Sequence, residues 1–362
     1  MGRAHRIAYR ALRPLLFSLD AERAHDLVLS ILAGTEYPLI GRAVALERVD
    51  DPVEIAGIVF PNRVGLAAGL DKEARCLPAL ASMGFGFIEV GSVAPRGEAW
   101  SEPPRIHRFP QAQALINRVG LHREGLDALC AALARNSRPL DRRAPVPVRL
   151  GINLACNSAT LAADSLRDYA TGLRATLRWA DYFTINVSNP NASNRHVPAT
   201  RPALDQWLAA IDRIRTEMGD KSGKTPPVFL KISPDLEAST WSLLCDALYA
   251  QRDKIGANAL CWGLIVSNTS LRREAVQGLA HAELRGGLSG KPLSGRVNQL
   301  VSEIRTHLGK EFPIIGVGGI MSGADARERI EAGADLVQLY TGLIYRGPDL
   351  VREVATALRP SP

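Results

Sequence analysis

Two lysines and several asparagines stand beside short apolar runs, where packing alone does not require them. Lys72 follows the run at Val64–Ala68, and Lys231 lies inside the run at Val228–Ile232. A lysine in such a place needs an anionic or electron-rich partner, and amides offer donors and acceptors to a planar ligand. A structural ion pair is the alternative for either lysine, and turn formation is the alternative for a single asparagine. The asparagines with this placement are Asn117, Asn186, Asn191 and Asn268.

Two glycine-containing segments near the C-terminus have the composition of a phosphate site. They are Gly316-Val-Gly-Gly-Ile320 and Tyr340-Thr-Gly342, each directly after an apolar run. Glycines let main-chain N–H groups approach an anion, and the start of the following helix adds partial positive charge. A tight turn is the alternative for the first segment. Their position after the last two runs favours phosphate binding.

Eight short apolar runs, separated by helix-length segments, predict the fold that positions these residues. Most are apolar on both faces, as parallel strands buried on both sides should be. Eight β/α units in about 300 residues predict an α/β fold, a (β/α)8 TIM barrel, with a doubly wound sheet as the alternative. In such a barrel, functional residues lie at the carboxyl ends of the strands. The runs are Val64–Ala68, Phe87–Gly91, Val148–Leu154, Tyr182–Val187, Val228–Ile232, Leu264–Ser267, Ile314–Gly318 and Leu336–Tyr340.

Residues 1–50 differ from the barrel region at 51–362. Apolar residues recur at helical spacing, Asp20 resembles a helix start, and Gly34 marks an end. A small helical unit with one apolar and one basic face suits a bilayer interface, and a helical cap on the barrel is the alternative. We expect a small N-terminal helical lid here. The basic stripe consists of Arg3, Arg6, Arg10 and Arg13.

Composition narrows the class of protein. The chain has 362 residues, 46% hydrophobic and 22% charged, which argues against disorder, collagen and coiled coil. The net charge of +7 fits nucleic acid, an anionic membrane surface or small anions as partners. Five scattered cysteines without C-x-x-C spacing argue against disulfides and structural zinc, so we expect a reducing compartment and no metal. No apolar run reaches the roughly 18 residues of a membrane-spanning helix.

The chain resembles the quinone-dependent (class 2) dihydroorotate dehydrogenases nearly from end to end. Many ordered motifs carry the resemblance. They are Leu16-Phe-Ser-Leu-Asp20, Glu22-Arg-Ala-His25, Gly65-Leu-Ala-Ala-Gly-Leu-Asp-Lys72, Gly84-Phe-Gly86, Glu89-Val-Gly91, Asn117-Arg-Val-Gly120, Gly151-Ile-Asn153, Ile185-Asn-Val-Ser188, Gly286-Gly-Leu-Ser-Gly290, Ile314-Ile-Gly-Val-Gly-Gly-Ile320 and Leu336-Val-Gln-Leu-Tyr340.

The resemblance implies an FMN-containing barrel behind a lid that admits quinone from the membrane. FMN would be held by Ala68, Gly69, Lys72, Ser92, Asn153, Asn186, Lys231, Ser267, Gly290, Gly319, Tyr340 and Thr341. The substrate would contact Lys72, Asn117, Arg118, Val119, Gly120, Leu121, Asn186, Asn191, Asn268 and Thr269. Quinone would contact His25 and Arg108.

The sequence departs from the family pattern around one pocket. The family motif N-[IV]-S-S-P-N, whose second serine is the catalytic base, reads Asn186-Val-Ser-Asn-Pro-Asn191, so Asn189 occupies the base position. An amide has no useful basicity, and we consider His196 and Cys156 as replacement bases. Ser188, one residue away, is expected to face elsewhere. The other departures are Leu121 for an aromatic residue, Ala155-Cys-Asn157 for glycine-lysine-asparagine, and Ala192-Ser-Asn-Arg-His196 for a threonine-proline-glycine loop.

Three hypotheses for function remain at this point. The first is an FMN-dependent dehydrogenase that oxidises dihydroorotate to orotate and passes electrons to quinone. The second is a paralogue acting on another small amide or carboxylate, and the third is a flavin-binding module without turnover. The expected partners are a small anionic substrate, quinone and a membrane surface, and not nucleic acid. The expected location is the cytoplasmic side of the inner membrane, at its periphery.

Overall fold

The computed structural model describes residues 2–34, 45–99, 102–121, 123–136, 147–188, 198, 200–219, 225–255 and 262–360. The helices in these ranges are α1 (Gly2–Ser18), α2 (Ala21–Ala33), α3 (Leu77–Ser82), α4 (Gly125–Asn136), α5 (Ser165–Thr176), α6 (Arg201–Glu217), α7 (Ala238–Ile255), α8 (Ser294–Leu308), α9 (Gly323–Glu331), α10 (Thr341–Arg346) and α11 (Asp349–Leu358). The strands are β1 (Val53–Ile55), β2 (Ile58–Phe60), β3 (Val64–Leu66), β4 (Phe87–Val93), β5 (Ile106–Phe109), β6 (Ala114–Asn117), β7 (Arg149–Leu154), β8 (Tyr182–Asn186), β9 (Val228–Ile232), β10 (Trp262–Val266), β11 (Gly287–Gly290), β12 (Ile314–Val317) and β13 (Leu336–Leu339).

Eight of these strands form a closed barrel in the order β10-β12-β13-β3-β4-β7-β8-β9. Every neighbouring pair in the barrel is parallel. All eight apolar runs became barrel strands, so the predicted TIM barrel is confirmed and the doubly wound sheet is wrong. The burial of these strands on both faces explains why most of the runs are apolar on both faces.

Aromatic side chains fill the end of the barrel opposite the carboxyl ends of the strands. Phe87 and Tyr182 pack at a ring-centroid distance of 6.2 Å. Each covers a glycine of a neighbouring strand: a Cβ on Gly65 would lie 2.2 Å from the Phe87 ring, and one on Gly151 would lie 2.1 Å from the Tyr182 ring. Strand glycines thus make room for large rings. The same cluster includes Phe60, from the β1–β2 hairpin.

Three strands outside the barrel form a second small sheet, which the sequence analysis did not predict. The order is β11-β6-β5, and both pairs are antiparallel. This sheet brings Asn117, at the end of β6, opposite Gly287. It therefore carries predicted substrate residues to the edge of the barrel.

The two N-terminal helices, α1 and α2, form the lid. Asp20 begins α2 as predicted, because its carboxylate accepts the main-chain N–H groups of Glu22 and Arg23. Tyr9 of α1 donates a hydrogen bond to the carbonyl of Ile344 at 2.5 Å, which docks α1 on α10. In the part of the chain that the structure describes, no helix is both long and apolar enough to cross a membrane.

Candidate active site

A single cavity of about 340 Å³ joins the lid to the carboxyl ends of the barrel strands, here called the barrel mouth. It brings together nearly all described residues that the sequence analysis placed in a site. Those predicted for cofactor or substrate are Ala68, Gly69, Lys72, Ser92, Asn117, Val119, Gly120, Leu121, Asn186, Lys231, Ser267, Asn268, Thr269, Gly290, Gly319, Tyr340 and Thr341. Those predicted for quinone are His25 and Arg108.

Two predicted residues lie beside the cavity rather than in its lining. Asn153 is fully buried at the end of β7, and Arg118 follows β6 with its main-chain N–H bonded to the carbonyl of Arg105 at 2.8 Å. Three others, Asn189, Asn191 and His196, lie outside the described residues.

Lys231 is a buried cation within the barrel. Its side chain is 5% exposed, and no hydrogen bond joins its ammonium group to a described residue. Burial lowers the pKa of Lys231, while the nearby Glu89 carboxylate partly raises it again. Its position suits an anionic or electron-rich ligand at the mouth.

Glu89 is a functional candidate that the sequence analysis did not include. It is fully buried on β4, and its carboxylate accepts hydrogen bonds from Asn153 Nδ2 at 2.7 Å, Tyr182 OH at 3.1 Å and Gln338 Nε2 at 2.8 Å. Burial, followed by the Glu89 charge, raises the pKa of Tyr182 well above its usual value. Gln338 also lines the cavity, so this network connects the barrel interior to the mouth. The position of Glu89 inside the apolar run Phe87–Gly91 is the sequence feature that could have indicated a functional role.

Lys72 contacts one of the other predicted substrate residues, Gly120. Its Nζ donates to the carbonyl of Gly120 at 2.5 Å. Burial lowers the pKa of Lys72 to about 8, opposed by the neighbouring Glu73 carboxylate. The ammonium is therefore mostly charged at neutral pH and can bind a carboxylate.

Asparagine amides form a connected network at the ends of β8 and β10. Asn186 Nδ2 donates to Ser92 Oγ at 3.0 Å. Asn268 Nδ2 donates to Asn186 Oδ1 at 3.3 Å and to Ser188 Oγ at 3.0 Å. These bonds orient the amides around the cavity, as recognition of a ring with several polar edges requires.

The glycine segments after β12 and β13 come together as predicted. Gly318 and Gly319 have φ values of 110° and 79°, a region that favours glycine. Thr341 Oγ1 donates to Ser289 Oγ at 2.9 Å, which ties the start of α10 to β11. Tyr340 OH donates to the carbonyl of Gly69 at 3.3 Å. Main-chain and hydroxyl groups thus border one side of the mouth.

Arg108, on β5, holds the end of α1 against the small β11-β6-β5 sheet. Its guanidinium donates to the carbonyl of Leu16 at 3.0 Å and to the carbonyl of Leu19, and it lies 4.7 Å from the centre of the Phe17 ring. A second contact on this side of the lid is the partly buried ion pair of Glu22 with Arg105, the residue before β5. The lid is therefore fastened by polar contacts as well as by apolar packing.

His25 occupies the lid side of the same cavity. Burial lowers the pKa of His25, Asp26 opposes this effect, and the positive charges of Lys72 and Arg75 lower the pKa further. His25 is therefore mostly neutral at pH 7 and can act as a hydrogen-bond donor or acceptor.

Two departures from the family pattern are buried in the same small cluster. Leu121 and Ala155 are buried in one small cluster with Ala94. Cys156 is also buried, outside the cavity lining, and its Sγ donates to the carbonyl of Ser165 at 3.6 Å. Burial raises the pKa of Cys156 to about 12, so the thiol stays protonated at neutral pH. This placement argues against Cys156 as a replacement base.

Comparison with known proteins gives consistent matches. The family model described as Dihydroorotate dehydrogenase matches residues 52–360. The chain is 46% identical over 361 residues to the dihydroorotate dehydrogenase (quinone) of Albidiferax ferrireducens, covering 98% of this chain and 99% of that protein. It is 46% identical over 352 residues to the protein of the same name from Delftia acidovorans, covering 97% and 98%. A ligand-free DHODH crystal structure from Eimeria tenella superposes with a TM-score of 0.82 at 34% identity, covering 94% of each chain.

Proposed function

The chain belongs to the dihydroorotate dehydrogenase family, and we propose that it is an FMN-dependent enzyme that oxidises dihydroorotate to orotate and reduces a quinone. The observation that carries this proposal is the single cavity, which is lined by barrel-mouth residues such as Lys72 and Lys231 and by lid residues such as His25. A reaction with two substrates of different polarity needs a polar end and an access route from an apolar phase. This cavity has a polar end at the barrel mouth, and its lid side would serve as the access route.

The residues at the mouth fit FMN. Gly290 and Gly319 approach neighbouring main chain so closely that a Cβ would lie 2.3 Å from the Gln113 oxygen and 2.4 Å from the Ser294 nitrogen. Both glycines also line the cavity, so main chain without a side chain borders it there, which suits contact with a flavin and its phosphate. When bound, FMN supplies the hydride acceptor and passes two electrons to the quinone. The residues that would hold FMN are Ala68, Gly69, Lys72, Ser92, Asn186, Lys231, Ser267, Gly290, Gly319, Tyr340 and Thr341. Asn153, beside the cavity lining, would support them.

Lys72 and the amide network suit the substrate. The charged Lys72 ammonium would bind the carboxylate, while Asn117, Asn186 and Asn268 would bind the polar edges of the ring. Oxidation of dihydroorotate removes one ring proton as well as a hydride. A general base is worth about 10²–10⁴-fold in rate, and Asn189 at the base position lacks that basicity, so we propose slow proton removal in this chain.

The lid would serve quinone entry and membrane contact. We propose that residues 1–50 form an access region, with His25 and Arg108 contacting the quinone and the barrel occupying residues 51–362. Leu12, Leu15, Leu27 and Ile31 of the lid helices are exposed. Exposed apolar residues beside basic ones suit peripheral binding to an anionic bilayer, here the cytoplasmic face of the cell membrane.

A second candidate is a paralogue that acts on another small amide or carboxylate. It is favoured by Asn189, by the altered segment at 192–196, and by the departures at Leu121 and Ala155, which are buried in one cluster. Leu121 also lines the cavity, so this repacking changes the pocket shape.

Anaerobic mixing of the FMN-loaded protein with dihydroorotate separates the two candidates. We expect slow loss of the visible flavin absorbance in the natural protein and a rate about 10²–10⁴-fold higher in Asn189→Ser, because the serine restores the base. Asn189→Ala is the control and should show no gain. Absence of bleaching in both the natural protein and Asn189→Ser, with FMN bound, would reject dihydroorotate and support the paralogue.

A further inference from the structure

Arg329, on α9, is a buried arginine behind the predicted phosphate loop. It is 0% exposed. Its Nη2 donates to the carbonyl of Gly318 at 2.8 Å and to the carbonyl of Ser294 at 3.4 Å, and its Nε donates to Asn298 Oδ1 at 2.5 Å. One guanidinium therefore connects the Gly318–Gly319 loop to the first turn of α8.

The charge of Arg329 has no matching carboxylate in contact. Among the described residues, no ion pair within 4 Å involves Arg329, and Nη1 has no hydrogen-bond partner. Burial lowers the pKa of Arg329 to about 10, opposed by Asp325 and Glu328 on the same helix, so the group remains protonated at neutral pH. A buried charge without a counter-charge is costly. A dianionic ligand at the mouth would supply the missing charge.

The geometry of the Gly318–Gly319 loop directs the main-chain N–H of Gly319 away from Arg329. The Gly318–Gly319 peptide is trans, so the carbonyl of Gly318 and the N–H of Gly319 point to opposite sides of the chain. Because Arg329 binds that carbonyl, the Gly319 N–H points away from it. Gly318 and Gly319 line the cavity and Arg329 does not. No hydrogen bond joins that N–H to a described residue.

Close packing fixes the arginine in this place. A Cβ on Gly316 would lie 2.6 Å from Arg329 Cδ, so the side chain crosses directly over the β12 glycine. A Cβ on Gly319 would lie 2.4 Å from the nitrogen of Ser294, the first residue of the 15-residue helix α8. The loop, the start of α8 and Arg329 form one positively polarised unit.

We propose that Arg329 is a positioning residue for the phosphate of FMN: it fixes the Gly318–Gly319 peptide as an anion donor and places a buried positive charge without an ion-pair partner behind it. The inference rests on the proposed function, since FMN is the ligand it requires. It predicts a defect confined to the phosphate, because the arginine touches neither the ring side of the cavity nor the substrate residues.

The test compares FMN with riboflavin, which lacks the phosphate. The full chain is freed of flavin, and dissociation constants for both ligands are measured by flavin fluorescence in the natural protein, Arg329→Gln, Arg329→Lys and the control Arg305→Gln. Arg305 is on α8, where it forms an ion pair with Asp335 and binds the carbonyls of Gly309 and Gly333 rather than the Gly318–Gly319 loop. Circular dichroism establishes that each variant is folded.

We expect Arg329→Gln to raise the dissociation constant for FMN at least about tenfold and that for riboflavin less than about twofold. Arg329→Lys keeps the charge but loses the planar fork, so it should weaken FMN about threefold without weakening riboflavin. If Arg329→Gln does not fold, the comparison of Arg329→Lys with the natural protein tests the proposal. Arg305→Gln should leave the ratio of the two constants unchanged.

If the Arg329 variants leave the ratio of the FMN and riboflavin dissociation constants unchanged, the role of Arg329 is overturned and the proposed function stands. Equal weakening of the binding of both ligands is one such outcome. A natural protein that binds neither flavin would overturn both proposals.

Discussion

The hydroxyl of Ser188 donates a hydrogen bond to the main-chain carbonyl of Lys231 at 2.8 Å. The same oxygen accepts a hydrogen bond from Asn268 Nδ2 at 3.0 Å, and Ser188 does not line the cavity. Its proton and its lone pair are therefore both engaged in holding neighbouring strand ends. The serine next to the altered base position has a structural role.

Replacing Ser188 with alanine should cost little in proton removal. We expect Ser188→Ala to slow the anaerobic reduction of bound FMN by dihydroorotate by less than about tenfold, because it removes neutral hydrogen bonds and not a base. The pH profile of that rate should keep its shape. A fall of about 10²–10⁴-fold together with a flattened profile would identify Ser188 as the base after all.

Lys72 should make ligand binding sensitive to alkaline pH. Burial lowers its pKa to about 8, so the ammonium is charged below that pH and neutral above it. Affinity for the anionic product orotate should accordingly be highest near neutral pH and fall as the pH rises through 8. Titration of the FMN-loaded protein with orotate, followed by the flavin spectrum, measures this.

The variant Lys72→Gln tests the assignment. We expect its dissociation constant for orotate at pH 7 to rise about 10- to 100-fold and to lose the alkaline dependence, since a charged hydrogen bond is lost. Lys310→Gln, at an exposed lysine far from the cavity, is the matched control. An unaltered pH dependence in Lys72→Gln would assign it to another group.

Arg108 should control the docking of the lid. Arg108→Ala removes two hydrogen bonds to the end of α1 and the stacking on Phe17. We expect amide hydrogen exchange in α1 to accelerate at least about tenfold and quinone-dependent turnover to fall. Arg10→Ala, at an exposed arginine on the same helix, should change neither. Unaltered amide hydrogen exchange in Arg108→Ala would contradict a role of Arg108 in docking the lid.

Leu15 should contribute to membrane contact. Its side chain is 64% exposed on α1, and Leu161, on the barrel, is also 64% exposed and serves as the matched control. We expect Leu15→Ser to reduce binding to vesicles of phosphatidylglycerol and phosphatidylethanolamine by about tenfold, with the unfolding midpoint unchanged. Leu161→Ser should bind vesicles like the natural protein. Equal losses of vesicle binding in the two variants would argue against a membrane-binding surface on the lid.

The barrel was predictable because its strands are buried on both faces. Most of the eight runs, Ile314–Gly318 among them, are apolar on both sides of the pleat, although Val228–Ile232 contains Lys231. Asp20 was also recognisable, because a helix start has a local chemical signature. The three-residue strands Val53–Ile55 and Ile58–Phe60 were missed, since such short segments have no distinctive period.

The residues behind the site could not be located from the sequence. Arg329 lies in a helix rich in charged residues, where an arginine is normally solvent-exposed, and only the packing against Gly316 places it inside. Asn153, which was predicted to contact the cofactor, donates from its Nδ2 to Glu89, a contact that the sequence did not indicate, and its Oδ1 has no hydrogen-bond partner among the described residues. Which face of a strand end meets the cavity depends on barrel register, and register comes from the assembled sheet.

The most direct test of the central claim is the stoichiometry of turnover. FMN-loaded protein is incubated anaerobically with dihydroorotate and a water-soluble quinone, and orotate and quinol are quantified by chromatography. We predict slow formation of the two products in equal amounts, dependent on FMN and faster in Asn189→Ser. Quinol without orotate, or neither product from FMN-loaded protein in either form, would contradict the assignment.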